Sequence, residues 1–304
     1  MPSAQFGVWD VSEWEIFSDE TEGVEEKYWL IDPTTRQRWL FKPPVVKFDF
    51  QQGEDWAERV STELARLISV PCADVELAHR DGRRGSMSRY LAPPGWDLQP
   101  GKLMLAEFDP DYVSQAKGRP GHSLDRIASA LRDGRVDAPF GAPDGFSAFD
   151  VFAGYMVLDA WIANRDRHDD NWSILTPPPG EANYRLCGSY DQSSSLGYNV
   201  NPNQRAQLLS EPGGVRRWAA KGTAHRFEHG PQGPVTLIEH ARAALSMCSP
   251  AAKTFWIDNI GRVRQDTVND LLNSVPDLSE QWRTFAIELL HINHGRLLDA
   301  CQHL

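Results

Sequence analysis

Residues 146–175 set the strongest constraint on what this chain can fold into: the apolar run "FSAFDVFAGYMVLDAWIA" passes directly into "NRDRHDD" and then into "NWSIL". In the run, Phe149, Phe152, Met156 and Ala160 share one helical face with Val157 and Trp161 beside them, which predicts a buried helix. Trp172-Ser-Ile-Leu reads as a short buried strand. Charges set between two buried segments are costly to desolvate unless they meet partners, a metal or a substrate. The loop is therefore the first place to look for chemistry.

The surroundings narrow the chemistry. At 304 residues and 41% hydrophobic, the chain can bury a full core as one large domain or two lobes. A net charge of −11 repels polyanions at long range, so neither direct nucleic-acid binding nor attachment to an anionic membrane is expected. Cys72, Cys187, Cys248 and Cys301 are scattered and form no C-x-x-C pair, which fits a reducing cytoplasm and no zinc site. The start "MPSAQFGVWDVSEWEIF" lacks a basic region followed by an apolar one, and no uncharged apolar run reaches membrane-spanning length, so export and membrane insertion are not expected.

The first hundred residues read as strands and turns. "KYWLI" and "RWLFK" flank "DPTTRQ" as a hairpin, and "EDWAERVSTELARLI" repeats Trp56, Val60, Leu64, Leu67 and Ile68 at helical spacing. "DVELAHRDGRRGSMSRYLAPPGW" supplies two more strands, and Pro93-Pro94-Gly95 marks a hinge. Beyond it the chain turns helical, with "SLDRIASALRD", the buried run above, and three C-terminal helices: "VTLIEHARAALSM", "AAKTFWIDNIGRVRQDTVNDLLNSV", and "LSEQWRTFAIELLHINHGRLLDACQ" capped by Asp277. The expected strands "WSIL" and "NYRLC" lie between. The fold class is thus α+β, with a small β-rich lobe over residues 1–94 and a mostly helical lobe over residues 95–304.

Asp166 and Asn171 stand five apart, the separation at which a kinase catalytic loop places a base on the acceptor hydroxyl and an amide oxygen on Mg²⁺. Mg²⁺ takes hard oxygen ligands, and Asp191 in "SYDQSSSLG" is placed to return to the loop after the strand pair. Lys42 ends an apolar strand that has no structural need of it, and so is expected to hold nucleotide phosphates, with Lys47 as the substitute if the register is shifted. Glu58 and Glu63 are the helical acids that can orient the lysine, and both cannot face it equally. His168 either touches the terminal phosphate or braces the loop beside Asp166. Asp169 and Asp170 are expected to be ordinary exposed acids.

"NRDRHDDNWSIL", "SYDQSSSLG", "LFKP" and "AERVSTELARLISVP" together resemble the HipA-like protein kinases, and the phosphoinositide-kinase superfamily shares the D-R-H-x-x-N pattern. The resemblance implies a bilobal protein-kinase-like fold, ATP with Mg²⁺, and phosphoryl transfer to a Ser or Thr of a protein substrate, with an antitoxin as a further partner. It assigns Asp166 as catalytic base, Asn171 and Asp191 as metal ligands, Lys42 as the phosphate-binding lysine, and Glu58 rather than Glu63 as its acid. Gly23 in the phosphate loop, with Arg89 and Tyr90 before the hinge, completes the expected nucleotide-binding set. Two departures stand out: "SDETEGVEEKYW" has a single glycine and several acids where the family carries a Gly-rich loop, and there is little room for an extra N-terminal subdomain. A nucleotide-binding pseudokinase and a lipid or small-molecule kinase are the competing readings. The basic segment "GGVRRWAAKGTAHRFEHG" is either a receptor for an anionic substrate or phosphorylated residue, or a solvated loop, and Ser193, Ser194 and Ser195 either modification sites or a serine-rich turn.

Overall fold

The computed structural model describes residues 6–19, 26–47, 49–180, 183–302 and 304. The chain opens with strands β1 (Val8–Asp10), β2 (Glu15–Asp19), β3 (Tyr28–Ile31) and β4 (Arg38–Lys42), forms a minimal hairpin of β5 (Val46–Lys47) and β6 (Phe50–Gln51), and enters helix α1 (Glu54–Leu67). Strands β7 (Val75–Arg80) and β8 (Arg83–Arg89) then complete a six-stranded sheet in the order β1-β7-β8-β4-β3-β2, with β1 alone running parallel to its neighbour. The expected hairpin is β3–β4. Its turn is built by Asp32, whose carboxylate accepts from the Thr34 N–H at 2.8 Å and the Thr35 hydroxyl at 2.6 Å, the local bonding that makes Asp a turn former. Strand alternation sends Leu30, Phe41, Ala78 and Met87 into one small cluster with Val11. Helix α1 lies against β7 and β8, and gives Trp56, Val60 and Leu64 to the main core, with Ile68 just past its end joining them.

After the proline pair come β9 (Asp97–Pro100), α2 (Gly101–Phe108), α3 (Leu124–Asp133), α4 (Ala148–Ile162), β10 (Ser173–Thr176) and β11 (Arg185–Leu186), the three strands forming a small sheet in the order β11-β10-β9. The remainder is helical: α5 (Pro202–Ser210), α6 (Gly214–Ala220), α7 (Leu237–Met247), α8 (Pro250–Gly261), α9 (Gln265–Asn273) and α10 (Glu280–Cys301). The architecture is α+β, a sheet-rich lobe carrying α1 and a helix-rich lobe built around α4. Every residue of α4 is buried. A capping box starts it, Ser147 Oγ accepting from the Asp150 N–H and the Asp150 carboxylate accepting from the Ser147 N–H at 2.9 Å.

Three sequence expectations need correction. The long helix expected over residues 251–275 is two, because Gly261 is the weakest helix former in that run and Arg264 is extended. The cap of α10 is Ser279, whose Oγ accepts from the Trp282 N–H at 3.3 Å; Asp277 is instead a left-handed turn residue with φ 56°. The basic segment is not all loop, since α6 takes Arg216 and Arg217. Strand β9 and helices α2 and α5 carry no sequence signal strong enough to have been expected.

Packing around α4 is tight at Gly154, where an added Cβ would meet buried Trp256 at 2.6 Å. Trp256 cannot retreat without losing the hydrogen bond from its Nε1 to the Asp150 carbonyl at 2.8 Å. Gly154→Ala is expected to lower stability by about 1–3 kcal/mol, read as a lower urea midpoint at unchanged m-value.

Candidate active site

Helix α4 ends at Ala163, whose left-handed φ of 56° turns the chain into the charged loop. The loop sorts its charges by depth. Arg167 is turned inward, its side chain 1% exposed, and its guanidinium grips both oxygens of buried Asp159 on α4: Nη2 donates to Oδ1 at 2.7 Å and Nε to Oδ2. It also donates to the Asn171 carbonyl at 3.0 Å and to Ser189 Oγ at 2.9 Å, while Asn164 Nδ2 adds a bond to Asp159 at 2.8 Å. Asp169 is buried as well, contrary to the expectation of an exposed acid, because Tyr112 from the α2–α3 connection donates its hydroxyl to it at 2.6 Å. Burial works to raise the Asp169 carboxyl, but hydrogen bonds from Ser114 and Tyr112 outweigh it and hold the group below its ordinary pKa. Asp170 is part-exposed and pairs with Lys102 at 2.8 Å.

That leaves Asp166 and His168 part-exposed, with Asn171 buried at the end of the turn. The turn is tight, with His168 N–H donating to the Asp166 carbonyl at 2.7 Å and Asn171 N–H to the His168 carbonyl at 2.9 Å. Asn171 Nδ2 also donates to the Asp166 carbonyl at 2.7 Å, which fixes the amide and turns its oxygen the other way. His168 Nδ1 accepts from the Asp170 N–H at 3.1 Å, the bracing arrangement. The Asp166 carboxylate accepts from Arg226, Nε at 2.6 Å and Nη2 at 2.5 Å.

In the sheet-rich lobe, Lys42 lies opposite Ser86 in the β4–β8 register and pairs with Asp191 at 3.0 Å. Glu58 on α1 is buried beside them, accepting from Ser86 at 3.2 Å and Ser88 at 3.1 Å. Burial raises the Glu58 carboxyl, and neighbouring Asp191 adds to it against the charge of Lys42. Asp191 goes the other way: burial opposes ionisation, but the charge and hydrogen bond of Lys42, with help from Lys27, hold it down at about 2. Glu63 is turned to Arg59 and Arg66, so Glu58 is the acid that shares the lysine's surroundings. Lys47 sits on the exposed β5.

No family model matches the chain, and no curated protein matches it in sequence. Solved structures do match. A proinflammatory kinase of Helicobacter pylori, CtkA, superposes with a TM-score of 0.74 at 13% identity, covering 98% of this chain and 100% of that one. HipA of Shewanella oneidensis MR-1, solved with HipB and operator DNA, superposes with a TM-score of 0.53 at 14% identity, covering 97% of this chain and 67% of that one. The fold is that of the HipA-like kinases.

Within that fold the structure brings Lys42, Glu58 and Asp191 together on one wall, and Asp166, His168 and Asn171 together on the loop. Arg89 and Tyr90 stand apart. Arg89 pairs with Asp74 at 2.6 Å, and the Tyr90 ring is covered by Arg38 at 3.9 Å. Gly23 lies outside the described residues. Of the three serines, Ser193 donates to Asp191 at 3.2 Å, and Ser195 is fully buried at 2.8 Å from Ser61, which makes it a packing residue. Sequence reasoning missed Lys27, Arg226 as the partner of Asp166, and the Arg167–Asp159 pair. The last had a signal: an acid inside the otherwise apolar "YMVLDAWI" demands a buried partner.

It also missed His122, which ties the far side of the loop together. His122 is buried, donates from Nδ1 to the Arg226 carbonyl at 2.7 Å, and accepts at Nε2 from Trp172 Nε1 at 3.1 Å. Only the neutral ring can do both. Burial accordingly pushes its pKa down to about 4. The unfolded chain binds that proton near the ordinary 6.5, so stability from this group is full above about pH 6.5 and is lost as pH falls toward 4, by up to about 3 kcal/mol. Thermal melts between pH 7 and pH 4 should show the decline in the wild type and a shallower one in His122→Gln, which keeps a donor and an acceptor without the titration.

Proposed function

We propose that this chain is an ATP- and Mg²⁺-dependent phosphotransferase whose acceptor is a Ser or Thr hydroxyl of a protein. The observation that carries the reading is the Lys42–Asp191 ion pair at 3.0 Å, a strand lysine of the sheet lobe meeting a carboxylate that follows the strand pair of the helical lobe. An apolar strand gains nothing from such a lysine unless it binds an anion there. The oxygens available suit the expected ion, since Asp191 is kept ionised and Asn171 has its amide nitrogen engaged, leaving its oxygen as the hard donor. When bound, Mg²⁺ neutralises the charge that develops on the phosphates.

In this reading Lys42 holds the phosphate oxygens and Glu58 keeps the lysine in place. Asp166 accepts the proton of the acceptor hydroxyl as its oxygen bonds to the terminal phosphorus and the bond to ADP breaks. His168 braces the loop. Arg89 and Tyr90 are given no nucleotide contact, because their side chains are engaged with Asp74 and Arg38 and their N–H groups donate to the Asp74 and Arg38 carbonyls at 2.9 Å. An antitoxin-type protein partner belongs to the same proposal, by analogy with the HipA–HipB assembly, as does a cytoplasmic setting, which the four free thiols support. Among the described residues no helix is long and apolar enough to cross a membrane.

The Arg226–Asp166 pair favours a second reading, a pseudokinase that binds nucleotide with its base permanently covered. Transfer from radiolabelled ATP separates the two. Asp166→Asn should lower transfer by about 10²–10⁴-fold with the thermal midpoint kept close to wild type, and chelation of Mg²⁺ should abolish it. Equal, background-level labelling by wild type and variant would leave only the pseudokinase.

A further inference from the structure

In this structure Asp166 is already ion-paired. Nε and Nη2 of Arg226 both point at its Oδ1, and the two side chains are 27% and 30% exposed. The Arg226 backbone is pinned: His122 Nδ1 donates to its carbonyl at 2.7 Å, the Phe227 ring stacks on His122 at 4.6 Å, and the Glu228 N–H donates to the His122 carbonyl at 2.9 Å. A move of the guanidinium therefore leaves its main chain in place. Beside it stands Arg165, exposed, with no side-chain ion pair or hydrogen bond among the described residues, lining the same small cleft as Arg226. His225 lies beside them as a neutral imidazole. Partial burial and the charges of Arg165 and Arg226 hold its imidazole below the ordinary value. The nearby acids of the loop are already committed, Asp169 to Tyr112 and Asp170 to Lys102.

Arg226 occupies only Oδ1 of Asp166, and drawing it away opens both carboxylate oxygens to the acceptor hydroxyl. A partly buried guanidinium gives up one carboxylate most readily for another anion. We infer that the acceptor is an acidic polypeptide segment, with a carboxylate or phosphate beside the acceptor hydroxyl, which draws Arg226 off Asp166 and is held by Arg165 as the second cation. The catalytic consequence rests on the phosphotransferase reading, whereas the binding does not. A folded polyanion such as RNA is disfavoured by the net charge of −11, which leaves this small face as a local exception.

The test uses the full chain and fluorescent Ser-centred peptide pools flanked by Glu, phosphoserine or Lys, with binding read by anisotropy at low ionic strength and ADP affinity measured in parallel. The Glu and phosphoserine pools should bind about tenfold more tightly than the Lys pool. The two pools also tell a carboxylate from a phosphate as the preferred group. Arg165→Ala should remove most of that preference, and Arg165→Lys should keep part of it, with ADP affinity unchanged in both. The inference is overturned by equal binding of all pools, by a preference that survives Arg165→Ala, by a loss of ADP affinity in place of peptide affinity, or by a single-stranded oligonucleotide binding as well as the acidic pools. An acidic preference without any transfer from ATP would support this site and overturn the phosphotransferase reading instead.

Discussion

The buried Arg167–Asp159 pair is the contact on which the placement of the loop depends. Taking two charges out of water is expensive, and a pair of this kind persists where the remaining donors are also satisfied. Here they are. One guanidinium reaches the helix that precedes the loop through Asp159, the end of the loop through the Asn171 carbonyl, and the segment after the strand pair through Ser189. The last two stretches carry Asn171 and Asp191, and Asp166 is the chain neighbour of Arg167 itself. Removing either partner leaves a buried charge with no counterpart, a cost of about 3–5 kcal/mol in general, and releases all three stretches from a common anchor.

The crowd of charges in "NRDRHDDN" thus resolves into two populations. Arg167 and Asp169 face inward and are fully partnered, so they hold shape; Asp166 and His168 stay part-exposed and Asn171 is buried at the end of the turn, with the backbone of all three locked by hydrogen bonds. The opposite wall is organised by a second electrostatic choice. Lys42 stabilises the ionised form of Asp191, and Glu58, buried with two serine donors, keeps the lysine's neighbourhood polar within an apolar sheet. Helix α1 makes this wall possible, since it presents Glu58 toward the sheet while its Trp56, Val60 and Leu64 join the core of the other lobe.

Much of this was legible in the sequence because it is local. The β3–β4 hairpin follows from a turn-forming Asp, α1 and α4 from their apolar periodicity, and the Asp166–Asn171 spacing from adjacent residues in one loop. What escaped was set by long-range packing. The burial of Asp169 depends on Tyr112, fifty-seven positions away, and the cover on Asp166 depends on Arg226, sixty positions away. His122 gave no sign, since a single histidine in a Gly-rich connection looks like any surface residue until Trp172 and Arg226 close over it. The break between α8 and α9 escaped because the apolar pattern continues across it and only Gly261 marks the stop.

The proposed function requires a nucleotide and a divalent cation to bind at Lys42, Asn171 and Asp191. Calorimetric titration of a nonhydrolysable ATP analogue, with and without Mg²⁺, into wild type, Lys42→Met and Asp191→Ala tests that most directly. The expected result is Mg²⁺-dependent binding by the wild type, weakened about tenfold or more in each variant by loss of a charge-assisted contact. Binding that ignores Mg²⁺ and is unchanged in both variants would contradict it.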